Sequence, residues 1–165
     1  MKLFLHIIDN IEEYLCGSMI ATMALIVFLQ VVYRFVLKSS LTWSEEVSRY
    51  LLVWITFIGA SSGVKHGSHV GVEALLLILP KKLRSFVNLG GIAICIFFCL
   101  VVSVFSLKII AKQMELGQVS PAMQIPIWWA YLAIPVGTIL MSIRYIQVAI
   151  TIYRNKNIIV EGGLI

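Results

Sequence analysis

The chain has 165 residues, of which 60% are hydrophobic and only 13% charged, with a mean hydropathy of +0.97; soluble domains carry about 25% charged residues. This excludes an ordinary soluble globular domain and predicts a single integral membrane domain over residues 1–165. The net charge of +5 is no nucleic-acid footprint, because the basic residues gather beside apolar segments, where they act as topology signals.

At the N-terminus Leu3, Phe4, Ile7, Ile8 and Ile11 recur at helical spacing, with Lys2, His6, Asp9, Asn10 and Glu13 largely opposite. The pattern predicts an amphipathic helix lying on the membrane, the other reading being a polar start to the first span. Asp9, Asn10, Glu12 and Glu13 interrupt the apolar residues, so no continuous signal-peptide core is expected. Four runs then reach the roughly 20 mostly apolar residues that a helix needs to cross a bilayer, at about 15–37, 46–65, 86–108 and 126–149. The expected fold class is an all-α membrane protein with four transmembrane helices.

The first span ends with Gln30 and Arg34; Arg34 is placed to pair with Glu46 across the short turn FVLKSS, or to meet lipid headgroups. The second span opens with TWSEEVSRYLLVW, an unusual concentration of charge for a lipid-facing helix. At about 100° per residue, Glu45, Arg49, Thr56, Gly59, Ala60 and Gly63 fall on one stripe, and Trp43, Tyr50 and Trp54 fall opposite. Small residues let a second helix approach, and a desolvated charge pair wants partners within protein. The aromatic face suits lipid or headgroups. Solvated headgroups, or a capping box of Thr42 with Glu45, would account for the charges without a partner. The alignment of charges with small residues favours a protein-facing surface.

His66 and His69 flank the inner end of this span, with Glu73 as the one further candidate metal ligand; an ordinary polar turn is the simpler reading. Residues 69–80, HVGVEALLLILP, are too short to cross and predict a short interfacial helix, ended by Pro80 and followed by Lys81, Lys82 and Arg84 as interface anchors. The third span carries Gly90-Gly91, which would permit close helix contact or simply be accommodated in lipid, and the fourth carries Pro135 near its middle, where a kink is expected. Cys16, Cys95 and Cys99 all lie in or beside apolar runs without a C-x-x-C, and read as packing residues.

The loop between spans two and three holds Lys65, Lys81, Lys82 and Arg84, and the C-terminal end adds Arg144, Arg154 and Lys156. Against them stand Arg34, Lys38, Lys108 and Lys112, so the bias puts both termini in the cytoplasm. Trp43, Trp128, Trp129 and Tyr131 then form an aromatic belt at the outer interface.

Arg34-Phe35, Leu41-Thr42-Trp43-Ser44-Glu45-Glu46, Arg49-Tyr50, Trp54, Gly59-Ala60 and His69-Val70 resemble the small membrane subunit of tripartite ATP-independent periplasmic (TRAP) transporters, the Q or DctQ-type subunit. The likeness is specific over residues 34–73 and architectural elsewhere. It implies a bacterial inner-membrane protein that is not an enzyme. It also implies two protein partners beside membrane lipids: a large DctM-type membrane subunit and a periplasmic substrate-binding protein. In such systems an organic acid, such as a sialic acid or a C4-dicarboxylate, enters on a sodium gradient, with sodium bound by the large subunit and no cofactor on the small one. The small subunit braces the large one and helps the binding protein dock, which would make Arg34, Glu45, Glu46, Arg49, Thr56, Gly59, Ala60 and Gly63 a partner-subunit interface.

Two other classes compete. A self-sufficient four-span transporter acting as a homodimer wants an ionisable group near mid-membrane, and the acidic residues here lie at helix ends or in loops. A thiol oxidoreductase wants reactive cysteine pairs at the membrane surface, where these are not.

Overall fold

The computed structural model describes residues 10–39, 41–65 and 81–161, with the side chains of 81–86 and 153–161 outside that description. Its helices are α1 (Ile11–Val36), α2 (Thr42–Lys65), α3 (Lys81–Glu115), α4 (Trp128–Tyr131) and α5 (Ala133–Glu161). Four stretches are long and apolar enough to span a bilayer, α4 and the first part of α5 together forming the fourth, Trp128–Ile152. At 35 residues α3 outruns its expected span; about 1.5 Å per residue gives it some 50 Å, well beyond the hydrocarbon core. The expected N-terminal amphipathic helix, the interfacial helix at 69–80, and His66, His69 and Glu73 lie outside the described residues.

The long helices stand in a row. α1 packs on α2, α2 on α5 and α5 on α3; among the described residues the backbones of α1 and α5, α1 and α3, and α2 and α3 do not pack together, and side chains alone reach from α5 to α1. The row is therefore α1–α2–α5–α3, with the last helix in sequence lying inside it. The covered seam of α1 runs through Glu12, Cys16, Met19, Met23, Ile26 and Gln30. That alternating spacing of four and three keeps one narrow stripe against α2, and the rest of α1 is open. On α3 the buried positions are Ile92, Cys99, Ser103, Ser106 and Ile110. Ile92 and Cys99 join Val64 of α2 and Tyr145 of α5 in the main apolar cluster, with Cys95 and Met141 against it. The cysteines are free thiols, two of them packed in this cluster.

Close helix contact falls elsewhere than expected. Nothing lies within 4 Å of where a β-carbon would stand on Gly90 or Gly91, whereas one on Gly137 would meet Cβ of Phe57 at 2.5 Å and its backbone carbonyl at 2.9 Å. Gly90 is exposed and Gly91 half-buried, so that pair turns away from its neighbours. Pro135 likewise acts near the start of its span rather than its middle. It sits in the first turn of α5 and has no N–H to donate to Tyr131. The helix is interrupted at Leu132 as a result, and the ladder resumes with Val136 N–H donating to the Leu132 carbonyl at 3.2 Å.

Several span hydroxyls fold back on their own helices, whereas that of the buried Ser61 makes no hydrogen bond among the described residues. Thr22 donates to Ser18 O at 2.8 Å, Thr56 to Leu52 O at 2.7 Å, Ser106 to Ser103 O at 2.8 Å and Thr138 to Ile134 O at 2.9 Å. This satisfies them without any partner across the membrane.

Candidate functional site: the charged mouth and open face of α2

Between α3 and α4 the chain makes a small hairpin. Ser120 N–H donates to Ile125 O at 2.8 Å, Ile127 N–H to Gln118 O at 3.1 Å, and Val119 bridges Pro126. Gly117 and Gln124 hold the positive φ values, 58° and 57°, that its bends require. The Glu46 carboxylate grips the tip: it accepts the Ser120 hydroxyl at 2.6 Å and the backbone N–H groups of Ala122 and Met123, each at 3.1 Å. Charge-assisted bonds of this kind are the strong ones. Glu46 is thus committed to the hairpin rather than to Arg34, which corrects the expected Arg34–Glu46 pair.

Glu45 accepts from the Gln30 amide of α1 at 3.3 Å. Arg49 is exposed and has no ion pair among the described residues. Further down, Thr56 and Ala60 are exposed, Gly59 and Gly63 half-buried, and nothing lies within 4 Å of a β-carbon on Gly63. With Leu52, also exposed, Arg49, Thr56 and Ala60 make an uncovered strip along α2, while Gly59 borders α1, the Cys16 Sγ lying 3.8 Å from where its β-carbon would stand. Trp43 is exposed as expected, but Tyr50 and Trp54 are half-buried. The row of neighbours partly covers the side of α2 away from the strip. Trp128 and Trp129 stack with centroids 5.2 Å apart at the start of the fourth span. The side chains of Lys81, Lys82 and Arg84 are outside the described residues.

At the opposite end of the row lies a polar cluster that sequence reasoning missed. Arg144 of α5 donates through Nε to Glu12 of α1 at 3.2 Å, with both side chains nearly buried, and through a terminal nitrogen to Gln147 at 2.9 Å. Lys65 of α2 binds Glu13 at 2.9 Å and the Asn10 side-chain oxygen at 2.5 Å. These contacts tie three helices together beside the main apolar cluster, in which Val64 and Tyr145 adjoin Lys65 and Arg144. The signal was present in Arg144, an ionisable residue inside a span, which requires a polar partner.

Residues 23–155 match the family described as tripartite ATP-independent periplasmic transporters, DctQ component. The chain belongs to this family. It is 30% identical to the C4-dicarboxylate TRAP transporter small permease protein DctQ of Rhodobacter capsulatus, over 88% of this chain and 77% of that one. A putative TRAP transporter small permease protein of Haemophilus influenzae is 30% identical over 94% and 98% of the two chains. The sialic acid TRAP transporter permease protein SiaT of Haemophilus influenzae is 31% identical over 85% of this chain but only 22% of its own length. The chain is thus a small permease subunit of a TRAP transporter, a multi-pass protein of the inner membrane, and SiaT carries the equivalent segment within a much longer polypeptide.

Proposed function

We propose that this subunit braces the large transport subunit in the bilayer and helps dock the periplasmic binding protein, in a complex that takes up an organic acid on a sodium gradient. The observation that carries this reading is the open row. Among the described residues the row of four helices encloses no central pathway, and the Thr22, Thr56, Ser106 and Thr138 hydroxyls are turned back on their own backbones. Transport needs polar groups or broken helices near mid-membrane. The face of α2 that carries Glu45, Arg49, Thr56, Gly59, Ala60 and Gly63 then contacts the large subunit, through its uncovered residues Arg49, Thr56 and Ala60 first, with Arg34 at its outer end. The presence of a similar segment inside the longer SiaT permease supports this contact.

The sodium and the substrate are bound by the other subunits, and this chain carries no cofactor. Both termini face the cytoplasm, and the Glu46-held hairpin faces the binding protein. A self-sufficient homodimeric transporter is the disfavoured alternative. Reconstitution in liposomes with an inward sodium gradient decides between them. The subunit alone is expected to move no sialic acid or C4-dicarboxylate, uptake returning only with the large subunit and binding protein added. Saturable uptake by the purified subunit alone would sink the scaffold reading.

A further inference from the structure

Beside the open strip of α2, and sharing Arg49 with it, lies a groove that the scaffold role alone does not account for. α2 and α5 touch where Gly137 meets Phe57 and separate from there toward the hairpin. The wedge between them is a groove of about 470 Å3, open on one side, with Val53, Phe57, Ile127 and Ile134 on its walls and Pro121 of the hairpin at its upper end. Its volume lies within the range of small-molecule sites. Glu46, Arg49, Tyr50 and Tyr131 stand among the lining residues, and Tyr131 ends the short helix that begins with the Trp128–Trp129 stack.

The geometry points to a bound phospholipid, its phosphate on Arg49 and one acyl chain lying in the groove against Val53, Phe57 and Ile134. Three observations select this occupant. Tyrosine and tryptophan rings collect at headgroup depth, which places the mouth of the groove there. Arg49 is about two turns below the start of α2, within reach of the headgroups for a snorkelling side chain. Glu46 also lines the groove and feels the Arg49 charge, but its carboxylate is held by three donors of the hairpin and makes no ion pair with Arg49. A guanidinium without an ion pair above an apolar slot matches a phosphodiester above a hydrocarbon chain in both charge and polarity. A segment of the large subunit entering the groove would have to supply the same pairing of anion and long apolar chain.

The test uses the full chain in phosphatidylcholine vesicles doped with phosphatidylglycerol that carries a diazirine in one acyl chain. After illumination, the labelled residues are mapped by mass spectrometry. Labelling is expected to concentrate on Val53, Phe57 and Ile134 relative to Phe97 and Phe98, which are exposed on α3. Arg49→Gln should lower the groove labelling several-fold and leave that on α3 unchanged. Arg49→Lys should retain much of it, because a point charge still attracts phosphate. Even labelling of all exposed apolar residues, or groove labelling indifferent to Arg49→Gln, would overturn the proposal. So would its disappearance when the large subunit is co-reconstituted, with Val53→Cys then cross-linking to that subunit. Circular dichroism of each variant identifies any that has lost its helices, and Ile134→Trp, which fills the groove while leaving Arg49 in place, repeats the test independently.

Discussion

Gly137 brings α5 so close to α2 that a β-carbon there would stand 2.5 Å from Cβ of Phe57 and 2.9 Å from its carbonyl carbon and oxygen. Real β-carbons do not approach backbone so closely, and both helices are held by further neighbours. In Gly137→Ala the helices must therefore separate. Overpacking of this sort costs about 1–3 kcal/mol. The thermal midpoint in detergent should fall, whereas Gly90→Ala, with open space around it, should leave it unchanged or raised by better helix propensity. Equal midpoints for the two variants would contradict the contact.

Glu46→Ala removes one acceptor from three donors at once. The loss is greatest where water cannot replace the lost partner; the exposed Ala122 N–H should lose least, and the Met123 N–H keeps the Ser120 hydroxyl oxygen at 3.3 Å as a second acceptor. Faster amide hydrogen exchange is expected at Ala122 and Met123, with little change in α3. Unaltered exchange at those two amides would show that the hairpin holds itself.

Arg144→Ala strands the Glu12 carboxylate in a site where that side chain is only 6% exposed. Breaking a buried pair from one side typically costs about 3–5 kcal/mol, while replacing both members with apolar residues is often neutral. The expected order of stability in detergent melts is therefore wild type close to Glu12→Leu/Arg144→Met, with Arg144→Ala well below both. A double variant as weak as the single one would argue that the pair itself is not what holds α1.

Ala60→Trp places a large ring on the uncovered strip of α2. If the large subunit packs there, co-purification of the two subunits should drop sharply, and Phe97→Trp on the open side of α3 should not affect it. Full complex yield from Ala60→Trp would move the contact to another face.

Lys38 and Lys112 lie at the hairpin end of the row, Lys38 following α1 and Lys112 in the last turn of α3. Cysteines placed at these two positions, in a background without native cysteines, should react with an impermeant reagent from the periplasm, and one at Ser68 should not. The reverse pattern would invert the orientation read from the Lys and Arg bias.

The parts of this architecture written locally were legible in the sequence. Bilayer thickness forces each span to announce itself as an apolar run, and the strip from Glu45 to Gly63 follows from helical period alone. Lateral order was not legible, because lipid is as apolar as leucine and a span's composition hardly distinguishes a neighbour helix from solvent. Nor were the long-range polar contacts. Glu46 meets Ser120 across 74 positions and Glu12 meets Arg144 across 132, distances at which only the assembled fold pairs residues. Gly137 escaped notice for a related reason: its role depends on Phe57 arriving opposite it, whereas Gly90-Gly91 drew attention merely by being adjacent.

The row α1–α2–α5–α3 also constrains how the protein can be made. A ribosome delivers α3 before α5, yet α5 is what α3 packs against, and the backbones of α2 and α3 do not pack on each other among the described residues. After three spans are inserted, α3 must wait in lipid as an unattached helix, and its Ser103 and Ser106 side stays uncovered by protein. The fourth span then enters between two helices already in the membrane, bringing Gly137 to Phe57 and Arg144 to Glu12 in the same event. A chain stalled or cut before residue 128 is therefore expected to be a substrate for membrane quality control, even though three of its four spans are complete.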